Sequence, residues 1–152
     1  MMTTVDDTAI QRRKTQAIAA AFGINLVFGA LLVVLYPELT RPENAQAAIA
    51  GLRNSGLNIV YELAVLVICF IWLGLDSHQL QIRRPWWLNV GIVLLTSVFV
   101  PYYLYKTRAA GQRGQAILSF FGIVFGCIAA MMVGMFLSLA LTSGAGAPAA
   151  TL

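Results

Sequence analysis

The chain has 152 residues, of which 59% are hydrophobic and 11% charged, and its formal net charge is +4. Soluble domains carry about 25% charged residues, and a domain this small leaves much of its surface in contact with solvent, so the composition excludes an ordinary water-soluble fold and indicates lipid as the solvent. The basic residues lie mostly between apolar runs, where they suit anionic headgroups, and no aromatic-and-basic surface module accompanies them, which argues against nucleic acid as a partner.

Residues 1–16 read as a polar N-terminal arm ending in Arg12, Arg13 and Lys14. The run 17–36 is uncharged and twenty residues long, and about twenty residues cross a hydrocarbon core of about 30 Å. A cleavable signal sequence has an apolar region of only about 7–15 residues. The small-residue triplet Ala45, Gln46 and Ala47 also lies well beyond the end of the run, so this helix is expected to be retained. Pro37 stops it. Residues 37–56 form a polar loop, in which 43–53 predicts a short interfacial helix with Ile49 and Leu52 toward lipid. A second span is predicted at 57–75, followed by a charged turn. A third, at 86–105, opens with Trp86 and Trp87 and closes with Tyr102, Tyr103 and Tyr105, the aromatic belts expected at two interfaces. After a basic turn, a fourth span is predicted at 116–139, and 140–152 is a flexible tail of small, uncharged residues. Backbone in lipid must satisfy its own hydrogen bonds. The expected fold is therefore all-α: a polytopic membrane protein with a bundle of four transmembrane helices over 17–139.

The orientation is tied on basic residues. With the N-terminus inside, Arg12, Arg13, Lys14, Arg83 and Arg84 are cytoplasmic, whereas Arg41, Arg53, Lys106, Arg108 and Arg113 are outside, five on each side. The cluster before the first span usually dominates, which predicts both termini cytoplasmic in a bacterial inner membrane. Two other readings explain the tie. Either copies insert both ways, or the third run is re-entrant at Pro101, which places eight basic residues inside against two outside.

Two acids stand out in the second run. Glu62 lies about five residues, roughly 7.5 Å, inside the boundary, where an ionised group is costly and usually has a partner. Asn58 is one turn back, and Tyr102 or Tyr103 of an antiparallel neighbour would reach the same level. These four residues form a candidate proton or ligand site, with structural hydrogen bonding as the plainer reading. Asp76 falls at a helix C-terminus, where the macrodipole disfavours a negative charge. It therefore predicts a cationic partner from Arg83, Arg84 or the group Arg12, Arg13 and Lys14, in an interfacial ion pair.

In the fourth run, Gly122, Gly126, Ala130, Gly134 and Ser138 place a small residue at every fourth position. Such stripes let helix backbones approach in lipid. A four-residue period drifts by about 40° per step on a 3.6-residue helix, so one straight partner cannot follow it. The stripe packs either inside the chain or against an oligomeric partner. Cys69 and Cys127 lie within apolar runs and read as small hydrophobes. His78 is the one histidine, and no second ligand is spaced for a metal. No nucleophile-and-base set or phosphate loop is visible, so no enzyme activity, metal or other cofactor is expected.

The size and the four predicted spans resemble the small multidrug-resistance exporters. That resemblance implies a proton antiporter with one embedded glutamate and a dual-topology dimer. This chain departs from the pattern: its first span has Asn25 and no acid, and its embedded glutamate, Glu62, is in the second. The likeness is one of architecture. The functional expectation is an accessory subunit or oligomerising scaffold in the lipid bilayer, homo- or hetero-oligomeric through the fourth span. The alternative is a small proton-coupled transporter using Glu62.

Overall fold

The computed structural model describes residues 4–41, 43–80 and 86–145. Among them every regular element is a helix. In chain order these are α1 (Thr4–Leu35), a 3-10 turn (Pro37–Thr40), α2 (Ala45–Arg53), α3 (Gly56–Gln79), α4 (Trp86–Thr107), a second 3-10 turn (Ala110–Gln112) and α5 (Arg113–Ala145). Among the described residues, three stretches are long and apolar enough to cross a membrane: Thr8–Leu35, Gly56–Gln79 and Ala110–Ser143. Few residues of their most apolar windows are fully buried by the chain itself: 28%, 6% and 0%. In water such exposure would be untenable, whereas in lipid it is the ordinary state of a spanning helix.

The helices outrun their predicted bounds. The segment expected as a polar arm is helical from Thr4 onward. It holds no Gly or Pro and is rich in helix formers such as Ala9, Gln11, Arg12 and Arg13, so nothing interrupts its fusion to the first span. α1 ends where Pro37 has no N–H to continue it. Ser55 starts α3 as an N-cap, its Oγ accepting from the Asn58 backbone N–H at 3.2 Å. α2 is the short loop helix the sequence predicts, with Ile49 exposed. α5 continues past 139 to Ala145, so the expected tail is helical at 140–145, and residues 146–152 lie outside the described residues.

The chain divides into two compact units. The first comprises Met1–Ala20 and Leu66–Gly126. Its core is Leu73 of α3 with Val100, Tyr103 and Leu104 of α4, backed by Phe70 and by Ile117 and Phe120 of α5. α4 is not straight. Eight residues rise about 12 Å on an ideal helix, yet a Cβ built on Gly91 would overlap the Phe99 ring. The helix therefore bends between them, and Pro101 follows inside the same helix.

The second unit comprises Ala21–Val65 and Cys127–Leu152. Here α1 and α5 meet backbone to backbone. A Cβ on Gly29 would run into the Met131 carbonyl, and one on Gly134 would run into the Leu26 carbonyl, so only glycine permits this approach. α3 is joined to α1 by a polar clasp. The Tyr61 hydroxyl donates to Asn25 Oδ1 at 2.8 Å, and the Asn25 amide donates to the Ala21 carbonyl at 2.8 Å. The Tyr61 ring stacks on Phe28 with centroids 3.8 Å apart. Within this unit, Gly134 and Ser138 of the small-residue stripe are buried and Ala130 is half-buried. In the first unit, Gly126 is half-buried and Gly122 exposed.

Candidate functional site: a shared carboxylate at Asp76

Asp76 sits in the last turn of α3, and its side chain is fully buried. An isolated buried carboxylate is prohibitively costly unless paired, and at a helix C-terminus the macrodipole adds to the cost. The chain meets both with two cations on one oxygen. Lys14 Nζ of α1 lies 2.6 Å from Asp76 Oδ1, and Arg108 Nη2, just beyond α4, lies 2.6 Å from the same atom. The other oxygen, Oδ2, accepts a long hydrogen bond from the Tyr103 hydroxyl at 3.4 Å.

Each cation is held in turn. Lys14 also donates to Gln79 Oε1 at 3.0 Å and lies 5.4 Å from the centre of the Trp72 ring. Arg108 follows directly on α4, its N–H bonded to the Leu104 carbonyl at 3.2 Å. Its own carbonyl accepts from Arg113 Nε at 3.1 Å, and the Arg113 guanidinium stacks 4.6 Å from the Tyr105 ring centre. Lys106 lies 5.8 Å from the Tyr102 ring centre. Among the described residues of this unit, the buried polar atoms Trp72 Nε1 and Asn89 Oδ1 have no hydrogen-bond partner.

Asp76 has the cationic partner its helix position demands, in Lys14. Of the other partners expected for it, Arg83 and Arg84 lie outside the described residues. Arg108 was missed, because four full crossings would put it at the opposite face of the membrane. The available signal was the tied charge count, because the re-entrant reading of the third run is the one that puts Arg108 and Asp76 on one side. Tyr103 was considered as a partner for Glu62, and the structure gives its hydroxyl to Asp76. Tyr102 lies beside Lys106. Glu62 is exposed on α3 and accepts from Asn58 Nδ2 at 2.8 Å, so those two are brought together.

A shallow apolar groove of about 320 Å³ in the second unit is lined by residues including Gly23, Val27, Phe28, Val60 and Tyr61. No charged side chain lines it. Among the described residues, no group of three or more His, Cys, Asp or Glu side chains has the geometry to hold a metal ion.

Removing one partner from a buried pair leaves an uncompensated charge and costs about 3–5 kcal/mol, whereas replacing the whole set with apolar groups is often neutral. Asp76→Asn is therefore expected to destabilise the chain by about 3–5 kcal/mol in mixed-micelle unfolding. The triple variant Lys14→Met, Asp76→Leu, Arg108→Met should recover most of that loss. A single-variant effect within about 0.5 kcal/mol would instead be that of an unimportant surface position.

No family model, curated protein or solved structure matches the chain.

Proposed function

We propose that the chain is a non-enzymatic integral membrane protein, acting as an accessory subunit or oligomerising scaffold through the outward face of α5. The observation that carries this reading is on α5 itself. No residue in the most apolar window of its span is fully buried, and at Gly122 a Cβ would meet nothing within 4 Å. Apolar exposure alone needs no partner in lipid. An exposed glycine among large residues such as Leu118, Phe121 and Phe125 is different, because it is the feature that lets a second backbone come close.

The same reading includes a bilayer arrangement with three crossings, α1, α3 and α5, and with α4 re-entrant. It is supported by the Asp76 cluster, which gathers residues of α1, α3 and the α4–α5 turn at one point, and by the bend in α4. It departs from the four-span expectation in the number of crossings and, as a consequence, in putting the two termini on opposite sides. Arg12, Arg13, Lys14, Arg83, Arg84, Lys106, Arg108 and Arg113 then share the cytoplasmic side, with Arg41 and Arg53 opposite. The positive-inside tie becomes eight to two.

A second reading, proton coupling at Glu62, has one observation in its favour. This carboxylate is exposed within a span and is hydrogen-bonded by Asn58, a neutral partner. An ionisable residue so placed within a span marks a functional site by default.

Three measurements separate these readings. Gly122→Leu is expected to shift the oligomeric state in mild detergent while the chain stays folded, whereas Gly134→Leu should disrupt the α1–α5 approach and lower stability by about 1–3 kcal/mol. An unchanged oligomer in Gly122→Leu removes the case for this face. In a cysteine-free background, cysteines at Gln11 and Ala109 should react with an impermeant maleimide from one side and a cysteine at Ser143 from the other. Four full crossings would instead put Gln11 and Ala109 on opposite sides. For Glu62, proton flux in vesicles should vanish in Glu62→Gln if the second reading holds, and flux that survives the substitution rules it out.

A further inference from the structure

We infer that the cation pair at Asp76 is a binding site for the headgroup of an anionic phospholipid. Two cations converge on a single carboxylate oxygen, so Asp76 balances one of them and leaves one unit of positive charge over. The burial is asymmetric. The Asp76 side chain is 0% exposed, while those of Lys14 and Arg108 are 11% and 20% exposed. The outside of the cluster therefore presents cation and hides the anion.

Donors remain on both residues. A lysine ammonium has three N–H groups and an arginine guanidinium five. Lys14 spends two, on Asp76 and Gln79, and Arg108 contributes Nη2 to Asp76. A phosphodiester carries a single negative charge and free acceptor oxygens, which matches one residual charge and several spare N–H groups.

The setting selects lipid over a free anion. Arg113 on Tyr105 and Lys106 beside Tyr102 extend the basic surface along a row of tyrosines. Tyr with Lys or Arg in this arrangement is the chemistry of the membrane–water boundary. Basic pockets between membrane helices on the cytoplasmic side are suited to anionic headgroups, and each basic residue near such a surface adds to the attraction. The adjoining α3 and α5 expose acyl-compatible side chains such as Val67, Ile71, Leu118 and Phe121, which a soluble phosphate cannot use.

The test places the full chain in nanodiscs of equal parts phosphatidylglycerol and phosphatidylcholine and counts retained lipids by native mass spectrometry. The wild type should retain phosphatidylglycerol over phosphatidylcholine by about fivefold. Arg108→Gln leaves the Lys14–Asp76 pair in place and should lose the preference. Arg108→Lys keeps the charge and should retain it. Retention of the two lipids in their bulk ratio by the wild type overturns the inference whether or not the variants fold. So does an undiminished preference in folded Arg108→Gln. Inorganic phosphate in millimolar excess should leave the retained phosphatidylglycerol in place; its displacement would mean a site for small anions and would equally overturn the lipid assignment.

Discussion

The Asp76 carboxylate accepts from Lys14 and Arg108 at 2.6 Å each, with no exposure of its own. In sequence these partners lie 62 residues before it and 32 after it. The hydrogen bond from Lys14 to Gln79 spans 65 residues and that from Tyr61 to Asn25 spans 36. A buried charge tolerates no loosening, because the alternative is an unpaired ion in a medium that cannot solvate it. The pairing therefore fixes three things together: the height of α1 beside the end of α3, the return of α4 to that same level, and the point from which α5 starts. The apolar contacts of Leu73, Val100 and Leu104 follow from that placement. They are numerous but, between lipid-soluble surfaces, less selective.

The rest of the packing obeys the rules of a hydrocarbon solvent. Burying Val or Phe against another helix gains little when lipid is equally apolar, so close fit and hydrogen bonds decide which helices meet. Both appear in the second unit. Gly29 and Gly134 bring α1 and α5 into backbone contact, and the Tyr61–Asn25 hydrogen bond joins α3 to α1. Neither would stand out in a soluble core. In lipid an unpaired Asn25 amide is expensive, so its partner is specified more strictly than that of any neighbouring leucine.

Apolar run length was enough to read the helical class and the approximate position of each long helix. Pro37 marked the end of α1, and 43–53 marked α2. The helix extensions were less visible. Apolarity stops at the lipid boundary, whereas backbone hydrogen bonding continues until a residue interrupts it, and neither 4–16 nor 140–143 holds a Gly or Pro. The need of Asp76 for a cation was legible from the helix macrodipole, but its full partner set was not. Arg108 is remote in sequence and joins Asp76 only through the bend in α4. A helix-length apolar run with Gly91 and Pro101 reads as a straight span until the tertiary contact of Gly91 with Phe99 is known. The stripe on α5 was legible as a packing face, and its drift forecast a change of environment along the helix. Which end would be buried depended on the placement of Gly29 on α1, which periodicity in α5 alone does not contain.

Glu62 and Asp76 show how little separates a buried ion from an exposed one on the same helix. They are fourteen residues apart, about 21 Å of rise, and Cys69 stands midway. Seven residues fall about 20° short of two full turns, so the stripe rotates by about 40° between the two acids. Asp76 is buried, Cys69 half-buried and Glu62 exposed, the order such a rotation produces when one edge of the stripe faces protein. At the buried end only cations from other helices can compensate the charge, and two are present. At the exposed end Asn58, one turn away on the same helix, supplies the hydrogen bond. The acid that shapes the fold is thus the one whose partners are far away in sequence. The acid with a local partner leaves the fold unconstrained, and this is why Glu62, rather than Asp76, is the position where chemistry could change without the structure changing with it.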